Sequence, residues 1–245
     1  MCGRYSGRDI ERMAYVIAII MGEAYEDVLA RYRFALGGKP RYNIAPAQQN
    51  VVVAPDGGEK ARATTMKWGH FASFAPGSPP TFLINARSET ALQKRTFARA
   101  MNERRCLIPA DGFFEWKRDG KGRSQQAYYF QRAGGEAYVM AGLSWPAEGD
   151  QPARYIVLTT APNELLQPIH DRMPVILTED GAKQWIDRSL TGEQARPLCV
   201  PFPGAEMTSY PVSSIVNSAK NDVPECVVPV LRLPDPPQES QGTLF

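Results

Sequence analysis

The sequence predicts an α+β protein, a single domain of curved, mainly antiparallel, barrel-like β-sheet with flanking helices. Two observations predict it. Short β-like segments recur from Val51 to Thr160, separated by Gly-rich turns such as Asp119-Gly120 and Gly134-Gly135. Helical patterning is confined to a few stretches and never alternates regularly with the strands, which argues against a parallel βαβ sheet. The chain has no internal repeats.

Residues 9–35 carry helical patterning. The apolar run Met13–Met21 is followed by Tyr25, Val28, Leu29, Tyr32 and Phe34, with Gly37-Gly38 as the stop. Val51-Val52-Val53 and Thr64–Trp68 flank Asp56-Gly57-Gly58 and read as a hairpin. Thr81–Ile84 is a short strand feeding a helix over 88–103. Cys106–Ile108, Phe113–Lys117, Ala127–Gln131, Ala137–Leu143 and Tyr155–Thr160 are strands. Thr178–Leu190 is a helix capped by Thr178, with Glu179-Asp180 in its first turn. From Leu233 the text turns to Pro234, Pro236 and Pro237 and then polar residues, which cannot bury a core. The expected division is a domain over 1–232 and a flexible tail over 233–245.

Composition bounds the function. The 245 residues suffice for one sizeable core. A net charge of +2 gives no global basic signature, though a local basic groove stays compatible with it. Cys2, Cys106, Cys199 and Cys226 lie far apart with no CxxC pair, against a zinc ribbon, a redox motif or a disulfide scaffold. A reducing cytoplasm is the default. Two histidines, His70 and His170, leave little material for a metal site, and no cofactor is expected. Met13–Met21 is too short to span a bilayer and is flanked by Asp9 and Glu11, so it reads as a buried helix and no membrane association is expected.

Cys2 offers chemistry that no internal cysteine has. Once Met1 is removed, its α-amine condenses with an aldehyde and its thiol closes on the imine as a thiazolidine. The reference pKa values, about 8 for the amine and about 8.5 for the thiol, leave some of each reactive form at neutral pH. Three further segments put reactive groups in unusual surroundings: Ile84-Asn85-Ala86-Arg87-Ser88-Glu89-Thr90, Asp111-Gly112-Phe113-Phe114-Glu115-Trp116 and Ile169-His170-Asp171-Arg172-Met173-Pro174. Apolar neighbours raise a carboxyl pKa and suit Glu115 to general acid work. Each segment also has a plainer reading. Asn85 caps the following helix. Glu115 is an exposed carboxylate alternating with buried Phe114 and Trp116, the favoured reading on pattern alone. His170 is structural, and Arg172 pairs with Asp171.

Taken together with Met1-Cys2-Gly3-Arg4-Tyr5, Arg41-Tyr42-Asn43-Ile44-Ala45-Pro46, Trp68-Gly69, Pro211-Val212-Ser213 and Lys220-Asn221, these segments resemble the SRAP family, the SOS-response-associated peptidase or abasic-site-processing proteins. The resemblance runs in order from residue 2 to about Val230. It implies covalent capture of abasic sites in single-stranded DNA by a monomer located in the cytoplasm, at the nucleoid and replication sites. It implies Cys2 as nucleophile, Asn85 orienting the Cys2 backbone, Glu115 protonating the sugar ring oxygen and His170 moving protons. Arg4, Arg87 and Arg172 would hold flanking phosphates, Asn43 and Pro46 would shape the channel wall, and Trp68, Phe74 and Thr159 would complete the DNA contacts. β-Elimination before ring closure would give a lyase side activity.

One departure is visible. The family's Trp-Gly-x-x-Pro-x-Trp stretch appears as Trp68-Gly69-His70-Phe71-Ala72-Ser73-Phe74, with Ala72 for proline and Phe74 for the later Trp. Base stacking is worth roughly 1–3 kcal/mol per base, and Phe74 keeps part of it. The last five residues, Gln241-Gly242-Thr243-Leu244-Phe245, resemble the bacterial sliding-clamp-binding pentapeptide, with Gln241, Leu244 and Phe245 as anchors and the replication clamp as partner. Two rival readings stand beside capture. One is a cysteine peptidase with Cys2 as N-terminal nucleophile, acting on itself or another protein. The other is a non-catalytic adaptor for single-stranded DNA.

Overall fold

Strands buried along both faces dominate the centre of the molecule, because two sheets and a helical layer cover one another. The computed structural model describes residues 2–36, 38–55, 61–73, 77–118 and 124–231. In chain order the elements are β1 (Arg4–Gly7), α1 (Ile10–Met21), α2 (Tyr25–Leu36), β2 (Arg41–Ile44), β3 (Gln49–Pro55), β4 (Ala61–Trp68), β5 (His70–Ala72), β6 (Thr81–Leu83) and β7 (Asn85–Arg87). They continue with α3 (Ser88–Ala91), α4 (Arg95–Glu103), β8 (Arg105–Ala110), β9 (Gly112–Arg118), β10 (Ser124–Arg132), β11 (Tyr138–Trp145) and β12 (Arg154–Thr160). The last are β13 (Met173–Pro174), β14 (Ile176–Leu177), α5 (Glu179–Ile186), α6 (Gly192–Ala195) and β15 (Met207–Val212).

The larger sheet closes on itself. β12 pairs with β4, β4 with β3, β3 with β8, β8 with β11, and β11 returns to β12, giving a five-strand ring with β7, β13 and β14 attached. The pairings are antiparallel except for β12 with β4 and β12 with β7. Closure removes the sheet edge and tilts the strands. At Gly142 the closure is tight: a Cβ there would lie 2.3 Å from Ile108 Cδ1 and 2.7 Å from the Ile156 carbonyl. The second sheet runs β15-β10-β9-β1-β2, so β1 is held on both sides.

The period of two in the strands sorts their side chains into different cores. Val51, Val53, Leu107 and Val139 pack with α1, α4 and α5, whereas Val52, Ala54, Ile108 and Met140 face the layer that contains Cys2, Tyr5 and Phe113. A third cluster puts Phe114 and Tyr129 beneath Val212, Val216 and Val227 near the chain end.

Several expectations are refined. The pattern over 9–35 is two helices, split where Gly22 takes a left-handed conformation (φ 63°) and its N–H caps α1 on the Ala18 carbonyl. The stretch 88–103 is likewise divided into α3 and α4. The Thr178 cap forms, accepting from the Gly181 N–H, but α5 ends at Ile186 rather than Leu190. The turn residues Asp56-Gly57-Gly58 and Asp119-Gly120, Phe74, and the tail with Gln241, Leu244 and Phe245 lie outside the described residues. No helix among the described residues is long and apolar enough to cross a membrane.

Candidate active site

β1 delivers Cys2 to the interior. Arg4 pairs with Phe114 and Tyr5 with Phe113 on β9, while Tyr5 also faces Ile44 on β2. Cys2, just before β1, is fully buried. Its carbonyl accepts a hydrogen bond from Asn85 Nδ2 at 2.8 Å, and its thiol makes a weak contact to the Arg4 carbonyl at 3.8 Å. Burial, followed by the charge of Glu115, pushes the thiol pKa up, so the sulfur is protonated at neutral pH.

Asn85 opens β7, whose parallel pairing with β12 sets Asn85 beside Val157. It sits in a strand and does not cap α3, since Arg87 occupies the cap position. Its Oδ1 is buried and has no partner among the described residues. Beneath it Trp68 donates Nε1–H to the Ile84 carbonyl at 2.9 Å. Trp68 therefore braces the residue before Asn85.

Glu115 is 2% exposed, although alternation along β9 favours an exposed carboxylate. β9 lies between β1 and β10 with both faces covered, so the period of two no longer separates water from core. Burial raises its pKa to about 7. His170 approaches from the loop between β12 and β13, with Nε2 at 3.9 Å from Glu115 Oε2. The Arg172 N–H donates to His170 Nδ1 at 3.0 Å, which leaves the proton of the neutral ring on Nε2, facing Glu115. Asp171 Oδ1 lies 3.1 Å from the same Nδ1, but that side chain is 79% exposed and water screens it, so the amide contact decides the tautomer. Burial lowers the His170 pKa, which keeps the ring neutral.

The structure thus brings Cys2, Asn85, Glu115 and His170 together. The expected DNA contacts fare differently. Trp68 is fully buried between Tyr5, 5.2 Å away edge-on, and Tyr155, stacked at 6.3 Å, so it supports the site from inside and offers no face to DNA. Asn43 is also fully buried, its Nδ2 reaching the carbonyls of Val216, Ser218 and Asn221, and it braces the wall from behind. Pro46 is half-buried beside it. Arg4 donates to Asn43 Oδ1, Val216 O and Asn217 O, so its guanidinium is committed internally. Arg172 does not pair with Asp171. It forms a bidentate pair with Glu89, both bonds 2.8 Å, and donates to the carbonyl of buried Thr159. Thr159 supports this clamp and does not reach solvent. Among the three expected phosphate ligands, Arg87 alone is exposed and without an ion pair among the described residues.

The sequence reading gave no role to Asp111 or Glu89. Asp111 is fully buried and accepts from Ser6 Oγ (2.6 Å), the Arg8 N–H (2.6 Å), the Asp9 N–H (3.0 Å) and Arg8 Nε (3.2 Å), anchoring the exit of β1. No local signal marks such a group, whose partners lie about a hundred residues away. No cluster of His, Cys, Asp or Glu among the described residues could hold a metal ion.

The brace on Asn85 gives a first prediction. Trp68→Phe keeps one aromatic ring but removes buried volume and the indole donor to the Ile84 carbonyl, at a cost of about 1–3 kcal/mol. Urea unfolding measures this, and a variant as stable as wild type would remove Trp68 from the support of Asn85.

A closed five-strand ring holding buried Cys2 among an amide, a carboxyl and an imidazole defines a class of protein with a cysteine centre just ahead of β1. The chain belongs to the SOS response associated peptidase (SRAP) family, whose family model matches residues 1–219. It is 33% identical over 238 residues to the abasic site processing protein YoqW of Bacillus subtilis, covering 93% of this chain and 99% of that one. It is 35% identical over 197 residues to the abasic site processing protein YedK of Escherichia coli, covering 78% and 85%. A 30% identity over 226 residues links it to HMCES of Gallus gallus, also an abasic site processing protein, covering 78% and 67%. Among solved structures, a Bacteroides thetaiotaomicron protein superposes with a TM-score of 0.71 at 20% identity, covering 94% of this chain and 100% of that one, which shows the fold. A phage-related protein of Bordetella bronchiseptica gives 0.65 at 28% identity, covering 86% and 94%.

Proposed function

We propose that this protein captures abasic sites in single-stranded DNA as a covalent thiazolidine crosslink through Cys2, once Met1 is removed. The observation that carries the reading is the grip of Asn85 on the Cys2 carbonyl beside a buried Glu115 whose pKa lies at about 7. The abasic-site-processing names of YoqW, YedK and HMCES support it.

The chemistry balances with groups at the site. Protonated Glu115 donates to the ring oxygen of the abasic sugar as the bond from C1′ to that oxygen breaks and the C1′ hydroxyl gives its proton to solvent water, leaving an aldehyde at C1′. The neutral Cys2 amine attacks C1′, and its two N–H protons pass by way of the Glu115 carboxylate to the former carbonyl oxygen, which leaves as water to give an imine, with the His170 Nε2–H turned toward that carboxylate. The thiol sulfur then bonds to C1′ while its proton passes to the imine nitrogen, closing the ring. A thiol kept protonated until that step suits an amine-first order and disfavours the resting thiolate that a cysteine peptidase needs. Asn85 Oδ1, a buried acceptor with no partner among the described residues, is available to accept from the Cys2 amine and aim its lone pair.

A denaturing gel tests this with single-stranded DNA carrying one abasic site. Wild type, verified by mass spectrometry to begin at Cys2, is expected to give a shifted, denaturation-resistant band that Cys2→Ala loses. Absence of the band in that wild type would reject covalent capture.

A further inference from the structure

Next to the hairpin of β5 and β6 lies a cleft of about 530 Å³ that the site above does not use. Its size lies within the roughly 300–1,000 Å³ of small-molecule sites. Phe71 lines it with 47% of its surface exposed, and Arg154 lies over that ring, 5.1 Å from the centroid. His70 stacks flat on Trp145, centroids 3.9 Å apart and planes within 8°. Burial and the charges of Arg154 and Arg104 push the His70 pKa down to about 4, so the imidazole is neutral. Its Nδ1 is buried with no partner among the described residues.

The rim is cationic. Arg99, Arg104 and Arg154 line the cleft, with Glu148 as the acidic residue of the lining. Arg99 is spent on Glu103, and Arg154 donates to the Gly69 carbonyl and Gln151 Oε1. Arg104 carries no side-chain hydrogen bond or ion pair among the described residues. Phe71 packs on Phe82, centroids 5.0 Å apart, yet stays half-exposed in the cleft it shares with Arg104, and a ring and a guanidinium so placed fit a planar base joined to a phosphate. A purely apolar ligand would leave Arg104 unanswered.

The cleft is coupled to the site by the backbone. Its hairpin sets His70 opposite Leu83, and Ile84 then leads into Asn85. On β12, Arg154 lies three residues before Val157, the register partner of Asn85, a span of about 10 Å at ~3.3 Å per residue. We propose that this cleft is a nucleotide subsite, in which one base of the bound single strand stacks on Phe71 and its phosphate pairs with Arg104. The proposal rests on the DNA-binding part of the function above and not on the crosslinking step.

Fluorescence anisotropy of labelled dT15, an intact fifteen-nucleotide single strand, tests it at several salt concentrations. Phe71→Ala is expected to weaken binding at least about fivefold by removing a stacking surface. Arg104→Gln is expected to lower the slope of log affinity against log salt by about 0.7, one phosphate contact on a single strand. Circular dichroism melting checks that both surface variants fold like wild type. Affinity and slope equal to wild type in both folded variants would overturn the subsite, as would undetectable dT15 binding by wild type. Saturable binding of free thymidine 5′-monophosphate, with dT15 affinity unmoved by either variant, would overturn the assignment to a DNA strand. Because dT15 has no lesion, failure of Cys2 to crosslink leaves this measurement intact.

Discussion

Glu115→Gln is expected to slow crosslinking by about 100-fold or more, the usual contribution of a positioned acid, and to change the shape of the pH profile. In wild type the single-turnover rate falls above pH about 7 as Glu115 ionises, and falls below about 8 as the Cys2 amine gains its proton. The two limbs enclose a narrow maximum. Glutamine has no proton to lose, so the variant keeps the acidic limb and loses the alkaline one. Rates measured between pH 5.5 and 9 decide this, and an alkaline limb that survives in the variant would assign it to another group.

The same substitution alters stability, with a definite sign. Folded Glu115 holds its proton up to about pH 7, whereas in the unfolded chain it releases it near the ordinary carboxyl value of about 4.3. Between these values the native state binds more protons, so stability is full below about 4.3 and falls as pH rises through 7. At about 1.4 kcal/mol per pH unit between about 4.3 and about 7, the loss is about 3–4 kcal/mol by pH 7.5. Glu115→Gln removes this slope, and its Tm should gain on wild type between pH 4.5 and 7.5. Parallel Tm curves would mean that Glu115 ionises at an ordinary pKa.

The second large effect concerns Asp111. Asp111→Ala is expected to cost about 3 kcal/mol or more, because a buried charge leaves Ser6, the Arg8 and Asp9 amides and the Arg8 guanidinium without their acceptor. These donors lie at the end of β1 and just beyond it, so crosslinking should fall along with stability. Asp111→Asn keeps one carbonyl oxygen and is expected to recover part of both. Denaturant midpoints together with gel yields measure the pair, and an alanine variant within about 0.5 kcal/mol of wild type, the range of an ordinary surface change, would contradict the anchoring role.

Much of the fold was legible locally. The strands around Val52, Ile108, Phe113, Met140 and Val157 announce themselves by composition and turns, and all form. The break at Gly22 was missed because helical periodicity runs through it, and only the left-handed backbone there shows that α1 ends. A barrel-like sheet was legible, but the parallel pairing of β12 with β4 that closes the ring was not, since it joins strands far apart in the chain and depends on the curvature of the whole sheet.

At the site, the sequence by itself determined which reactive groups are available: an amine and thiol at Cys2, an amide at Asn85, a carboxyl at Glu115 and an imidazole at His170. Only the tertiary structure decided their states. It buried Glu115 and so set its acid strength, aimed the His170 proton through the Arg172 amide, committed Arg4 and Arg172 to internal acceptors, and turned Trp68 from a surface into a brace. The reason is physical. Proton affinity and free hydrogen-bonding capacity depend on what surrounds a group within a few ångströms, and here those surroundings come from segments as far as 212 residues along the chain.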